Sequence, residues 1–113
     1  MSDVILVGDV PADLVAALEA AGLGVARLDG GAVGADLDAA GVDAAGVLLL
    51  TDAGQATLVP VARERNSDIA IVLYGDEGFP DFASAQADLA VDRSLVEAPE
   101  LVDALVDRVR AAG

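Results

Sequence analysis

Apolar positions along this chain follow two alternating rhythms. Short unbroken runs, Val4-Ile5-Leu6-Val7, Val47-Leu48-Leu49-Leu50 and Ile69-Ala70-Ile71-Val72-Leu73-Tyr74, read as strands buried on both faces. Between them, apolar residues recur three and four apart, the spacing of one helix face. The first run stops at Gly8-Asp9. Pro11 and Asp13 then suit the opening of a helix with Leu14, Val15, Leu18 and Ala21 along one side and Gly22 as its stop. Gly24-Val25-Ala26-Arg27-Leu28 reads as a second strand that ends at Asp29-Gly30-Gly31, and a weak helix from about Val33 to Ala40 closes at Gly41.

Thr51 and Asp52 stand at the end of the third strand. Pro60 cannot lie deep inside the helix that follows. Either Thr57 caps a short helix with Pro60 in its first turn, or a longer helix kinks there; Leu58, Val61 and Ala62 supply its apolar side and Asn66 its stop. The fourth strand turns out through Gly75-Asp76-Glu77-Gly78, Pro80 starts a short helix with Phe82 inward, and Leu89-Ala90-Val91 reads as a fifth strand. Pro99 opens the last helix, where Leu101, Val102, Leu105, Val106 and Val109 form a wide apolar stripe.

Strand and helix therefore alternate five times over residues 1–113, as one domain. That pattern predicts a three-layer α/β sandwich with a five-stranded parallel sheet, Rossmann-like, and right-handed crossovers. Ligands of such sheets bind outside the carboxyl ends of the strands. Those ends gather the candidate binding residues Gly8, Asp9, Asp29, Thr51, Asp52 and Tyr74. Gly8 lets backbone approach a ligand, Asp29 offers a carboxylate to paired hydroxyls, and Thr51 and Tyr74 offer hydroxyls of their own.

Charge narrows the function more than the pattern does. The net charge is −14, Asp outnumbers Glu fifteen to five, and all six cations are Arg. Such a chain repels nucleic acid and anionic membranes, so neither is a partner. Cysteine and histidine are absent, which excludes disulfides, thiol nucleophiles and the commonest general base and metal ligand. No catalytic apparatus is legible. No apolar run is long enough to span a bilayer, and the first strand begins too early for a leader, so a cytoplasmic protein is expected.

Leu-Leu-Leu-Thr-Asp at 48–52, Val-Ala-Arg-Glu-Arg-Asn-Ser-Asp at 61–68 and Gln-Ala-Asp-Leu-Ala-Val-Asp at 86–92 resemble the TrkA-N (RCK) domain, a Rossmann-type nucleotide-binding family of potassium-channel and transporter regulators. That resemblance implies an acid at Asp29, about twenty residues beyond Gly8, on the ribose of a dinucleotide. Of the family's Gly-x-Gly-x-x-Gly loop, however, only Gly8 is present. Pro11 removes a backbone donor, and Asp9 and Asp13 put negative charge where pyrophosphate would sit, which speaks against ordinary NAD binding. The cofactor is therefore unknown, and a small neutral nucleoside-like molecule is the expected ligand.

The layout also resembles a response-regulator receiver, with Asp9 as a metal-binding acid and Asp52 as phosphoacceptor. Phosphotransfer would further need a Ser or Thr after the fourth strand and a Lys after the fifth, where this chain has Tyr74-Gly75 and Asp92-Arg93. The absence of Lys and the bias to Asp, Ala, Val and Gly look like haloarchaeal proteins, and the chain is similar to a small haloarchaeal family sometimes labelled CTP synthetase. No Cys for glutamine hydrolysis and no Gly-Lys-Ser/Thr phosphate loop support that label.

Two strand orders compete. The TrkA-N resemblance and the short segment between the third and fourth strands favour 3-2-1-4-5. The Arg-bearing second strand looks like an edge and the third is apolar throughout, which suits 2-1-3-4-5, the receiver order. The first is the preferred order and the second its alternative. Function divides the same way: a non-catalytic regulatory or ligand-sensing domain with a degenerate nucleotide crevice, or a pseudo-receiver working by protein contact, self-association into a homodimer included.

The charge generates one prediction by itself. With −14 net and no Lys, carboxylate repulsion should dominate once screening is removed. Circular dichroism and thermal melts across a KCl series should show tertiary structure lost at low ionic strength and regained at molar salt. A melting temperature independent of salt would contradict it.

Overall fold

The apolar runs become strands and the periodic segments helices in the computed structural model, which describes residues 3–75, 79, 81–92 and 94–112. In chain order the elements are β1 (Val4–Val7), α1 (Ala12–Ala20), β2 (Val25–Leu28), α2 (Gly34–Ala39), β3 (Val47–Leu50), α3 (Leu58–Arg65), β4 (Ala70–Gly75), α4 (Asp81–Gln86), β5 (Leu89–Asp92) and α5 (Ala98–Ala112). A 3₁₀ turn, Ala53–Gln55, lies between β3 and α3. The expected turn at 76–78, Pro80 as a helix start, the inward side chain of Phe82, and Arg93 lie outside the described residues. No helix among the described residues is long and apolar enough to cross a membrane.

All five strands are parallel, in the order β2-β1-β3-β4-β5. The preferred order 3-2-1-4-5 is thus corrected to its alternative, 2-1-3-4-5. Burial explains why. Every side chain of β1 and β3 has 0% exposure, and only an interior position covers both faces of a strand. On β2, Arg27 is exposed and its neighbours are half-buried, so β2 tolerates the edge. Val7 pairs with Leu28 on one side and Leu50 on the other, and Leu50 pairs with Leu73.

Alternate strand residues feed two cores. Val4, Leu6, Val47, Leu49, Val72 and Tyr74 pack under α1 and α5. Ile5, Val7, Leu48, Leu50, Ile71 and Leu73 pack under α2, α3 and α4. On α5, Leu101 and Leu105 are buried to 1% and 0% exposure, while Val106 and Val109 are half-buried. Gly46 admits the far end of α5: a Cβ there would stand 3.2 Å from the Val109 Cα.

Of the two readings around Pro60, the short helix is the one that forms. Pro60 lies in the first turn of α3, where a missing N–H costs nothing. Thr57 occupies the cap position but its side chain makes no capping hydrogen bond. Asn66 ends the helix, and its Nδ2 donates to the carbonyls of Val42 and Ala45 at 3.1 and 2.9 Å. Near that end Arg63 donates to the Ile69 carbonyl at 2.6 Å and to the Gln86 carbonyl at 2.8 Å, and pairs with Asp88 at 2.8 Å. The same Asp88 oxygen accepts the Ile71 amide at 2.8 Å, so one guanidinium joins α3, β4 and the end of α4.

Leu105→Ala should lower stability by about 2–5 kcal/mol, because the buried side chain leaves a cavity between α5, α1 and the sheet. Val33→Ala, at a side chain 59% exposed, should change it by about 0.5 kcal/mol or less. Chemical denaturation in molar KCl reads both. Equal costs would mean that α5 does not pack as described.

Candidate functional site

In the order 2-1-3-4-5 the chain leaves β1 to one side and later returns to the other. The switch-point crevice therefore opens between the carboxyl ends of β1 and β3. Those ends are Gly8 and Thr51. Gly8 takes φ +92°, a conformation that side chains rarely adopt, and its amide donates to the Leu28 carbonyl at 2.9 Å. The Thr51 hydroxyl donates to the Val7 carbonyl at 2.8 Å, linking the two strand ends.

The space above them is filled. Gln55, 4% exposed, folds back from the 3₁₀ turn. Its Oε1 accepts the Thr51 amide at 2.9 Å and the Asp52 amide at 3.3 Å, and its Nε2 donates to the Thr51 hydroxyl at 3.4 Å. A Cβ on Gly8 would overlap both Gln55 Nε2 and Thr51 Oγ1, and one on Gly30 would come within 3.4 Å of the same Nε2. A side chain of the chain itself thus fills the switch point between β1 and β3, over Gly8.

The other candidate residues separate around this plug. Asp52 is exposed, and its Oδ1 accepts the Gly54 amide at 3.0 Å, capping the 3₁₀ turn. Asp9 is also exposed. The Asp29 carbonyl accepts the Ala32 amide at 2.9 Å, and the residue lines an open cleft of about 250 Å³ with Arg27, Leu28 and Asp36. Tyr74 is 3% exposed and lies on the α1/α5 side, under a different cleft of about 400 Å³. Gly8 and Thr51 meet directly; Asp29 and Tyr74 flank them in separate clefts. At the end of β5, the Ser94 hydroxyl and amide donate to Asp92 Oδ1 at 2.6 and 2.8 Å, which holds that carboxyl below the ordinary aspartate value. Among the described residues no group of three His, Cys, Asp or Glu side chains could hold a metal ion.

Gln55 escapes the sequence reading although a signal exists. Asp52-Ala53-Gly54-Gln55 has the spacing of a capping box, in which the fourth residue turns back on the first. The spacing announces that return. It does not announce that the returned amide will sit over Gly8.

The chain is similar in fold to an atypical orphan response regulator described as having a phosphorylation-independent regulatory mechanism, at TM-score 0.73 and 16% identity over 95% of this chain and 94% of that one. It is similar to a Helicobacter pylori orphan response regulator at TM-score 0.70 and 16% identity, over 95% and 96% of the two chains. It is also similar to the TrkA-N domain of the Escherichia coli inner membrane protein YbaL at TM-score 0.63 and 18% identity, over 95% and 96%. These likenesses show one α/β fold shared by receiver-like and Rossmann-like proteins. No curated protein matches the chain in sequence. The pattern of one family matches residues 4–105, nearly the whole chain, and on that ground the chain belongs to DUF7126, a family of unknown function.

Proposed function

We propose that this chain is a non-catalytic regulatory domain of receiver-like fold that acts through contact with other protein. The observation that carries this reading is the filled switch point. Gln55 and Thr51 already satisfy each other and the strand ends, so a phosphoryl group or pyrophosphate would have to displace a bonded buried amide. It would also approach Asp9, Asp13 and Asp52. At 4 Å and an effective dielectric of about 20, one such phosphate–carboxylate pair costs about 4 kcal/mol. The orphan regulator with phosphorylation-independent regulation is a precedent for this fold working without phosphotransfer.

A second reading keeps a ligand. A small neutral, hydroxyl-bearing molecule such as a nucleoside could use Gly8, Thr51 and Asp29 if Gln55 swung aside. The cleft beside Asp29, adjoining Gly30 and hence the plug, is what favours it.

Two measurements test these readings. The folded chain in molar KCl is exposed to acetyl phosphate with Mg²⁺, and separately to NAD, ATP and adenosine. The expected outcome is no phosphoryl adduct and no movement of the Gly8, Gly30 and Thr51 amide resonances. An adduct on Asp52, or saturable NAD binding, would overturn the contact reading; adenosine binding that moves Gly8 and Gly30 would establish the second. Stability then tests the plug itself. Gln55→Ala should cost about 1–3 kcal/mol, because it strands buried amide partners. Gly8→Ala should cost a similar amount, about 1–3 kcal/mol, from strain at positive φ plus overlap. The double variant should cost clearly less than the sum, because the two changes compete for one volume. Strict additivity would show that Gln55 does not fill the space over Gly8.

A further inference from the structure

The second opening at the carboxyl end of the sheet lies over Tyr74, between the N-terminal ends of α1 and α5, with a volume of about 400 Å³. Pro11 and Pro99 form two of its walls. Their rings lose no side-chain entropy on contact. Leu95 stands beside them with 79% of its surface exposed, the most exposed large hydrophobic residue described. Asp13 and Glu97 also line it, beside Ser94 and Val96; among the described residues neither acid enters an ion pair and no Arg lines the cleft. An outward apolar side chain among rigid rings, rimmed by carboxylates without an ion pair among the described residues, has the composition of a small contact surface.

We propose that this cleft docks an arginine-bearing segment of a partner protein. The inference rests on the contact reading above and names its surface and the chemistry of its occupant. Charge complementarity selects that occupant. A second copy packed on the same face would set Asp13 and Glu97 against their own equivalents rather than against a cation, as a phosphate-rich surface would set them against phosphate. The two helix termini oppose a cation, but each carries only about half a positive charge. Against them stand the full charges of Asp13, Glu97 and Glu100, the last in the first turn of α5. Arginine suits the site better than lysine. Its planar fork pairs with carboxylates bidentately, and its stem can lie along Pro99 and Leu95 while the charge stays at the rim.

The test uses a blocked peptide of alternating Arg and Leu, with Lys and Glu versions, titrated into the full chain at fixed salt. Calorimetry and the emission of Tyr74, the single tyrosine, report binding. The Arg peptide should bind saturably and more tightly than the Lys peptide, and the Glu peptide not at all. The exposed double variant Asp13→Asn with Glu97→Gln should weaken binding about tenfold or more. Asp43→Asn with Asp68→Asn, at the opposite end of the sheet, should leave it unchanged. Equal losses in the two variants would reveal diffuse attraction to a polyanion and overturn the proposal. Binding that appears only after Arg93→Ala would make the chain's own arginine the occupant, and would overturn it too. Peptide binding that ignores Asp13 and Glu97 but maps to another face sinks the cleft and leaves the contact reading standing. NAD binding or a phosphoryl adduct at the switch point sinks the contact reading instead.

Discussion

Strands that are apolar on both faces have to be covered on both faces, and the rest of this fold follows from that requirement. β1 and β3 carry eight side chains with no exposed surface. Burying them demands a strand on either side and a helical layer above and below. With no Trp, one Tyr and two Phe in the chain, those layers are built from Val, Leu, Ile and Ala, which fill space in small increments and let helices come close. Placing β1 and β3 side by side also places Gly8 beside Thr51, so the demand for burial determines which residues face the switch point.

The strand order shows where sequence reasoning succeeds and where it strays. The five βα units, the parallel sheet and the burial of Leu101 and Leu105 are legible because each rests on periodicity within one segment. The order had two signals that disagreed. Arg27 on β2 against the unbroken Val47-Leu48-Leu49-Leu50 pointed to 2-1-3-4-5, and that local burial argument is the one the sheet obeys. The likeness to TrkA-N pointed elsewhere, because families that share βα alternation can wind it differently. Pro60 was legible as a first-turn residue, whereas the 3₁₀ turn at Ala53–Gln55 was not, since three residues carry no period.

The candidate site was legible only in part for a related reason. Gly8 and Thr51 could be found because each ends an apolar run. Their neighbour Gln55 is polar and belongs to no apolar period, its capping-box spacing with Asp52 points only back to Asp52, and it reaches Gly8 through contacts between strands distant in sequence. Asp52 drew notice as a carboxylate at a strand end, yet in place its oxygen serves the Gly54 amide. An acid at a strand end is first of all a good turn and cap residue, and nothing local distinguishes that use from chemistry. The same holds for Arg63, where a guanidinium spends its donors on the carbonyl before β4, the last carbonyl of α4 and an aspartate within the fold.

The shared volume over Gly8 has a consequence for how this chain can change over time. Three positions, 8, 51 and 55, divide one small space, although 8 and 51 belong to different βα units. A side chain at position 8 would require shorter ones at 51 and 55, and a shorter residue at 55 would uncover backbone amides at 51 and 52. A side chain gained at position 8 must therefore be concerted with losses at 51 and 55. A lineage that shortened position 55 while keeping glycine at 8 would reopen a pocket at the place where this architecture ordinarily receives its ligands. One glutamine separates a filled switch point from an open one, and a single substitution at 55 would cross that distance.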